Sequence, residues 1–259
     1  MRLARVSVQY CQQGIEPMNT DVDPHRPRLR MSDHVRMCIV DDQAVLLDLN
    51  RSRYIGLSSR QWEIVAATLA LSGSPATGSS ALAGGAALVA PLIRAQLLTT
   101  SPIKRAHRLV PLASAVASFD SGARAPEAGI GLRCLYDFAA AAALAAMWLR
   151  LRSLEFIVQK VETRNTAREL SNSPDRDSRL GDAVSAFDRL RPLAFTSKDK
   201  CLYDSLALAL FLARRGVPVR WVIGVATRPF RAHSWVQDGG EVLNDLHDNV
   251  RRYSPILIA

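Results

Sequence analysis

The last quarter of the chain carries the pattern that most restricts its fold, an apolar helix that runs directly into a buried strand. From Cys201 onward, leucine and alanine recur at helical spacing, two arginines fill the last turn, and Gly216 and Pro218 end the helix. The next residues, VPVRWVIGV at 217–225, are rich in β-branched side chains and predict a buried strand. We therefore expect a helix packed beside a sheet, with Cys201 as the first helical residue.

A thiol at the start of a helix has electrostatics that suit a nucleophile. The positive end of the helix dipole, together with Lys198 and Lys200, is expected to lower the pKa of Cys201. The backbone N–H groups of the first turn have no partners in the helix, so they can stabilise an oxyanion beside the sulfur. A lone cysteine at a helix start is more often a small buried apolar residue, so partners for Cys201 decide between the two interpretations.

The length of a hairpin turn decides which side chains face each other in the segment after the strand. His233 precedes the turn and Asp245 follows it. A three-residue loop at 238–240 would place Asp245 opposite His233 on the same face. A two-residue Gly-Gly turn would place Leu246 opposite His233 and turn Asp245 to the other face. The triad hypothesis requires the three-residue loop, which we therefore predict.

With that register, the three side chains form a candidate catalytic triad. Asp245 would accept one imidazole N–H and set the tautomer, which leaves the other nitrogen of His233 to exchange a proton with Cys201. Asp248 and His247 are rival partners. A metal site is not expected, because no second cysteine or histidine has ligand-like spacing.

Five short motifs in the same segment resemble the lasso-peptide maturation B proteins, transglutaminase-like (papain-like) cysteine peptidases of bacterial biosynthetic clusters. The resemblance is strong over 198–245, and it assigns the family's catalytic triad to Cys201, His233 and Asp245. The motifs are Cys-Leu-x-x-Ser-Leu-Ala-Leu at 201–208, Arg-Arg-Gly-Val-Pro at 214–218, Val-Ile-Gly-Val at 222–225, Pro-Phe-x-Ala-His-Ser-Trp-Val at 229–236 and Val-Leu-Asn-Asp at 242–245.

This resemblance implies a reaction and partners. The reaction is hydrolysis of the peptide bond between the leader and the core of a lasso-peptide precursor, through a thioester on Cys201. The partner is an asparagine-synthetase-like cyclase, which uses ATP to form the macrolactam. No phosphate-binding glycine motif occurs in the chain, so no cofactor is expected on the protein itself and any ATP dependence would come through the cyclase. A cytoplasmic location is expected.

An N-terminal module has a different pattern, with three short strands followed by helices. VRMCIV, AVLLDL and RYIGL are separated by turn residues, and Ser58 with Gln61 forms a capping-box signature. The module resembles the leader-recognition domain of the same pathway, which is similar to the small pyrroloquinoline-quinone chaperones (PqqD-like). The resemblance implies that the leader adds as a strand to a sheet edge. The groove would lie between the third strand and a helix over 87–97, with contacts from Tyr54, Ile55, Leu57, Leu88 and Leu92.

The predicted fold class is α+β, with a small winged-helix-like module followed by a transglutaminase-like peptidase domain. Residues 1–33 are predicted to be a disordered extension, 34–100 the leader-recognition domain, 101–131 a linker and 132–259 the peptidase domain. The alanine-rich stretch 138–149 is too short for a bilayer and predicts a packed helix. No membrane association is therefore expected.

Two other functions are compatible with the chain. A net charge of +9 and the meander-plus-helix module would suit a basic winged-helix nucleic-acid binder or scaffold. Residues 35–98 carry no excess of lysine and arginine for phosphates, so this is the alternative and no nucleic acid is expected as a partner. A narrower alternative keeps the triad and makes an amide, as transglutaminases do. Cys11, Cys38 and Cys134 are expected to have no chemical role.

Overall fold

The computed structural model describes six stretches of the chain, residues 29–71, 79–102, 112–120, 130–166, 176–194 and 201–259. The chain divides into two compact units, Met1–Leu109 and Val110–Ala259. Both contain helices and strands, which confirms the α+β class. Cys11, Lys198 and Lys200 lie outside the described residues.

The first unit contains a three-stranded antiparallel meander. After a two-residue strand, β1 (Arg30–Met31), strands β2 (Val35–Val40), β3 (Gln43–Asp48) and β4 (Arg53–Leu57) pair in chain order, as predicted. The two aspartates at 41–42 join β2 to β3 with φ of 48° and 63°. Aspartate tolerates this left-handed region, and two successive positive φ values match the right-handed twist of a hairpin. The first turn of the meander therefore follows from local sequence.

Two helices and a short strand complete the first unit. Helices α1 (Ser59–Leu71) and α2 (Ser79–Arg94) precede β5 (Leu98–Thr99), which pairs with β1. The Ser58 N–H donates to Gln61 Oε1 at 2.9 Å and the Gln61 N–H to Ser58 Oγ at 3.4 Å, so the predicted capping box is confirmed. The core of this unit is formed by buried apolar side chains from all these parts: Val35, Ala44, Leu46, Leu57, Val65, Val89, Leu92, Leu97 and Leu98.

The second unit is built on a five-stranded sheet. Its strands are β6 (Ala117–Ser118), β7 (Arg220–Thr227), β8 (Phe230–Asp238), β9 (Glu241–Val242) and β10 (Ser254–Ile258). Their order is β10-β7-β8-β9-β6, with β6 parallel to β9 and the other neighbours antiparallel. The long β7–β8 hairpin lies at the middle of this sheet, and β9 pairs with only the last two residues of β8.

In the described part of the second unit, five helices accompany this sheet: α3 (Leu132–Leu151), α4 (Leu154–Thr166), α5 (Arg176–Ala194), α6 (Cys201–Arg214) and α7 (His247–Val250). The most buried is α6, which packs against α3, α5 and β8 and buries all of its residues from 204 to 213. It ends as predicted, because Gly216 adopts φ of 80° and the Val217 N–H returns to the Leu212 carbonyl at 3.0 Å. This anchored helix carries Cys201 at its N-terminal end.

Helix α3 begins at Leu132, where helical periodicity begins in the sequence, and extends beyond the apolar stretch 138–149 at both ends. Among the described residues, it is the one helix long and apolar enough to cross a bilayer. Core helices of soluble proteins have the same length and composition, and α3 buries Phe138, Ala141, Ala145 and Trp148 within its unit. Phe138 makes edge-on contacts with the aromatic rings of α5 and α6. The packed-helix prediction is therefore supported by these contacts.

The structure corrects two predicted boundaries. The extension predicted over 1–33 is too long, because Arg30 begins β1 and its guanidinium donates to the carbonyls of residues 101 and 102 at 2.8 and 2.7 Å. The linker predicted over 101–131 is also too long, because β6 pairs with β9 inside the second unit. Both segments lack periodicity in sequence, and the strands β1 and β6 within them form by backbone pairing with distant residues.

Candidate active site

Cys201 is the first residue of α6, as predicted, and is half-buried. The hydrogen bond with His233 lowers the pKa of the Cys201 thiol below its ordinary value, although burial acts in the opposite direction. The backbone N–H groups of Ser234 and Leu202 also hydrogen-bond to the sulfur and lower the pKa further. The site therefore favours the thiolate, the nucleophilic form of cysteine.

His233 lies on β8, 32 residues along the chain from Cys201, and contacts both other members of the candidate triad. Its Nε2 is 2.5 Å from Asp245 Oδ2. Because Nε2 is occupied by Asp245, Nδ1 is the ring nitrogen left for the sulfur of Cys201. The imidazole also packs against the rings of Trp235 and Tyr253, at centroid distances of 6.2 and 5.2 Å. These contacts hold the ring plane in place.

The hairpin register that we predicted from the sequence is wrong. Asp238 pairs with Glu241, so the turn contains only Gly239 and Gly240. Continued regular pairing would have put Asp245 on the opposite face from His233. Asp245 reaches His233 because the chain leaves the ladder after residue 242 and bends through 243–245. The bend at 243–245 therefore brings Asp245 to the same face as His233, which we expected a three-residue loop to do.

Three donors surround the carboxylate of Asp245. Besides His233, the backbone N–H of Leu246 donates to Oδ1 at 2.7 Å and Asn249 Nδ2 donates to Oδ2 at 2.9 Å. Burial would raise the pKa of Asp245, but these hydrogen bonds lower it below its ordinary value. Asp245 is therefore an anion that orients the imidazole of His233.

The protonation states of the three groups depend on one another. Burial alone would lower the pKa of His233, but the hydrogen bonds and charges of Asp245 and Cys201 raise it to about 9. The lowered pKa of Cys201 and the raised pKa of His233 both favour a thiolate–imidazolium pair over the neutral pair. This ion pair supplies a nucleophile and a proton donor at adjacent atoms, the two groups that acyl transfer requires.

The rival partners and the other described cysteines lie elsewhere. His247 Nδ1 is 2.9 Å from Ser118 Oγ, and the Asp248 carboxylate is 76% exposed and 3.4 Å from His247 Nε2. Cys38 and Cys134 are buried. No group of three metal-ligating side chains occurs in the part of the chain that the structure describes.

The residues expected to contact a leader lie on β4 and α2 in the first unit, with unequal exposure. Leu57 and Leu92 are buried in the core, and Ile55 is partly buried against it. Tyr54 and Leu88 are partly exposed. The helix predicted over 87–97 ends at 94, because Gln96 adopts φ of 62°. β4 is an outer strand of the meander, which is the position required for adding another strand.

Sequence reasoning missed several residues that support the site. Gly224 faces His233 across the hairpin, and a Cβ there would lie 2.8 Å from the ring of Trp235 and 2.9 Å from the Cβ of Tyr253. The glycine therefore leaves room for the two rings that pack on the imidazole. Gly224 is part of a quoted motif, but the sequence has no signal that links Tyr253 or Asn249 to the site.

Comparison with known proteins gives a family for this unit. Residues 132–258 match the family model of the transglutaminase-like superfamily. Over these residues the unit is similar to transglutaminase-like proteins. The chain is also 50% identical over 48 residues to the Microcin J25-processing protein McjB of Escherichia coli, which covers 18% of this chain and 23% of that protein. No solved structure matches the chain significantly.

The match to McjB supports the resemblance to lasso-peptide maturation B proteins that the sequence motifs indicated. The chain spans less than a quarter of that relative's length in the aligned region. The fused leader-recognition domain stays a prediction.

Proposed function

We propose that this protein is a cysteine peptidase that removes the leader from a lasso-peptide precursor. The observation that carries the proposal is the contact of Cys201, at the start of a buried helix, with a His233 that is itself hydrogen-bonded to Asp245. The transglutaminase-like match and the McjB match support the reaction class and the substrate class.

The reaction begins with the thiolate of Cys201 attacking the carbonyl carbon of the bond between leader and core. The Cys201 N–H lies at the first position of α6 and can donate to the developing oxyanion. The imidazolium of His233 then gives its proton to the departing amine as the C–N bond breaks, which leaves the leader as a thioester.

Water completes the cycle. Neutral His233 accepts a proton from a water molecule, whose oxygen attacks the thioester carbonyl and displaces the Cys201 thiolate. The products are a leader with a free carboxylate and a core with a free amine. Asp245 keeps the imidazole oriented through both steps. A cyclase of the asparagine-synthetase-like class, with ATP, would then join this amine to a carboxyl side chain of the core.

Two exposed apolar residues are close in sequence to members of the triad. Phe230 lies three residues before His233 and Leu246 directly follows Asp245, and they are 51% and 67% exposed. We assign them to contacts with the substrate peptide near the cleaved bond. In the first unit, β4 is the edge that would receive the leader as an added strand, with Tyr54 and Leu88 as the accessible side chains. A reduced nucleophilic thiol fits a cytoplasmic protein.

The test is leader release by the full chain from a candidate precursor, with the cyclase and ATP present, followed by mass spectrometry. Wild type and Cys134→Ala, which removes a buried thiol, should release a leader with a free carboxylate, and Cys201→Ala should not. Equal release by Cys201→Ala would overturn the proposal. An added amine incorporated at the leader terminus would instead select the transglutaminase-type reaction.

Leader binding is tested separately by fluorescence anisotropy with a labelled leader peptide. Tyr54→Ala and Leu88→Ala should weaken binding to the full chain and leave alkylation of Cys201 unchanged, because both residues lie in the first unit. Wild-type affinity in both variants would refute the assignment of this edge.

A further inference from the structure

Asp204 is a buried carboxylate that the proposed reaction does not use. It lies one helical turn after Cys201 on α6 and its side chain is 8% exposed. Its Oδ2 accepts hydrogen bonds from Arg191 at 2.7 Å and from Asn244 Nδ2 at 3.1 Å. Its Oδ1 is buried and accepts no hydrogen bond from the residues that the structure describes. Burying a carboxylate is costly, so its placement calls for a reason.

Asn244 connects this carboxylate to the point where the hairpin breaks. The Leu243 N–H bonds to the Val236 carbonyl at 2.9 Å, as in a regular antiparallel pair. The reciprocal bond is made by a side chain, because the Val236 N–H donates to Asn244 Oδ1 at 2.8 Å. The side-chain amide of Asn244 therefore accepts from the β8 N–H that would otherwise lose its backbone partner. The chain can bend at 243–245 without leaving that N–H unpaired.

Two partners set the orientation of that amide. The Val236 N–H requires the oxygen of Asn244, and Asp204 accepts from its NH2 group on the side of α6. Asn244 directly precedes Asp245, so the same amide fixes the backbone from which Asp245 reaches His233. Helix α6 thus carries Cys201 as its first residue, and one turn later its Asp204 contacts the bend through Asn244.

We propose that Asp204 and Asn244 are a positioning pair, which holds Asp245 in hydrogen-bonding distance of His233 by tying the bend after β9 to the helix that carries Cys201. Neither residue contacts the sulfur or the imidazole in this arrangement; they act through Asp245. The inference deepens the proposed function, since it assumes that Cys201, His233 and Asp245 work as a triad.

The experiment exchanges the two side chains and measures alkylation of Cys201 by iodoacetamide against pH, by mass spectrometry of the Cys201 peptide. Asn244→Asp keeps an acceptor for Val236 but puts two carboxylates together. Asp204→Asn keeps an acceptor toward Asn244. The double variant D204N/N244D restores one hydrogen bond with donor and acceptor reversed.

We expect Asn244→Asp to raise the pKa of the Cys201 thiol. At pH values below that pKa, alkylation should slow by about tenfold or more, since each unit of increase in a thiol pKa lowers the thiolate fraction tenfold. Asp204→Asn should stay within about threefold of wild type, and the double variant within about threefold of Asp204→Asn. The pH dependence separates this role from a merely structural one, because a general loss of stability would reduce the amount of folded protein without moving the pH at which alkylation of folded Cys201 rises.

Asp238→Asn is the matched control. It removes the charge and one of the two oxygens that accept from Arg176 at 2.8 Å, at the other end of the same hairpin, and should leave the alkylation profile unchanged. The proposal is overturned if Asn244→Asp reacts like wild type, if the double variant stays as slow as Asn244→Asp, or if the control is slowed equally. Should Asn244→Asp alone fail to fold, a folded and reactive double variant supports the pair and an unfolded one refutes it.

Alkylation requires no peptide, so this test is independent of the substrate. Failure of wild type to release any leader would refute the proposed function, and the alkylation result could still be interpreted. Normal release by wild type with an unrestored double variant would sink only the positioning pair.

Discussion

Replacing Asp245 with asparagine removes the negative charge beside His233 and keeps the size of the side chain. The carboxylate has two acceptor oxygens for its three donors, at 2.5, 2.7 and 2.9 Å. Asparagine has one acceptor oxygen and an NH2 group, so it cannot serve all three donors. We therefore expect the imidazolium of His233 to lose its main stabilising partner.

The magnitude follows from the pKa of His233. Burial would lower it, yet Asp245 and Cys201 raise it from 6.5 to about 9, a difference worth about 3 kcal/mol. The hydrogen bond of Asp245 is the largest favourable contribution, and the His233 side chain is only 17% exposed, so screening by water is modest. We assign about 2 kcal/mol to Asp245, which is about thirtyfold in the stability of the ion pair.

The assay is the pH profile of kcat/KM for leader release. In wild type the alkaline limb should lie near the pKa of His233, about 9. In Asp245→Asn the limb should move toward 6.5, the ordinary value, and the rate on the alkaline side of the wild-type limb should fall by about thirtyfold. Asp248→Asn, a matched change at an exposed neighbouring carboxylate, should keep the wild-type profile. An unmoved limb in Asp245→Asn, or an equal shift in Asp248→Asn, would refute this reasoning.

Three further outcomes are expected. Gly224→Ala should lower the free energy of unfolding by about 1–3 kcal/mol, because its Cβ meets Trp235 and Tyr253 at 2.8 and 2.9 Å; an unchanged urea midpoint would contradict this. Phe230→Ala should raise KM for the precursor and leave thiol alkylation unchanged, and a loss confined to kcat would argue against a binding role. The folded pKa of Asp245 lies below 3.8, so its stabilisation is present above that pH and lost as pH falls through the folded value. Unfolding measurements on wild type and Asp245→Asn should therefore converge in acid, and a constant difference would disagree.

Much of the first unit could be predicted because its signals are local. The Asp-Asp turn accepts positive φ at both positions, and Ser58 and Gln61 are three residues apart, so each structure forms between near neighbours in the chain. The start and end of α6 were predictable for the same reason, since Gly216 and the leucine spacing act within a few residues.

The geometry of the candidate site depended on contacts that no local pattern encodes. The two-residue turn at 239–240 would by itself turn Asp245 away from His233, and the bend that corrects this is held by Asn244 against Asp204, 40 residues earlier in the chain. Likewise, β6 and β1 are ordered by partners more than 60 residues away.

The sequence by itself determined which residue types were available and where Cys201 would stand, because helix periodicity, capping and turn chemistry act over a few residues. Only the tertiary structure decided that Asp245 meets His233, because the path of the chain after a strand ends depends on its hydrogen bonds to the neighbouring helix. Here the carboxylate of Asp204 on α6 accepts a hydrogen bond from Asn244. The amide of Asn244, held between that helix and β8, takes the place of a regular strand pair.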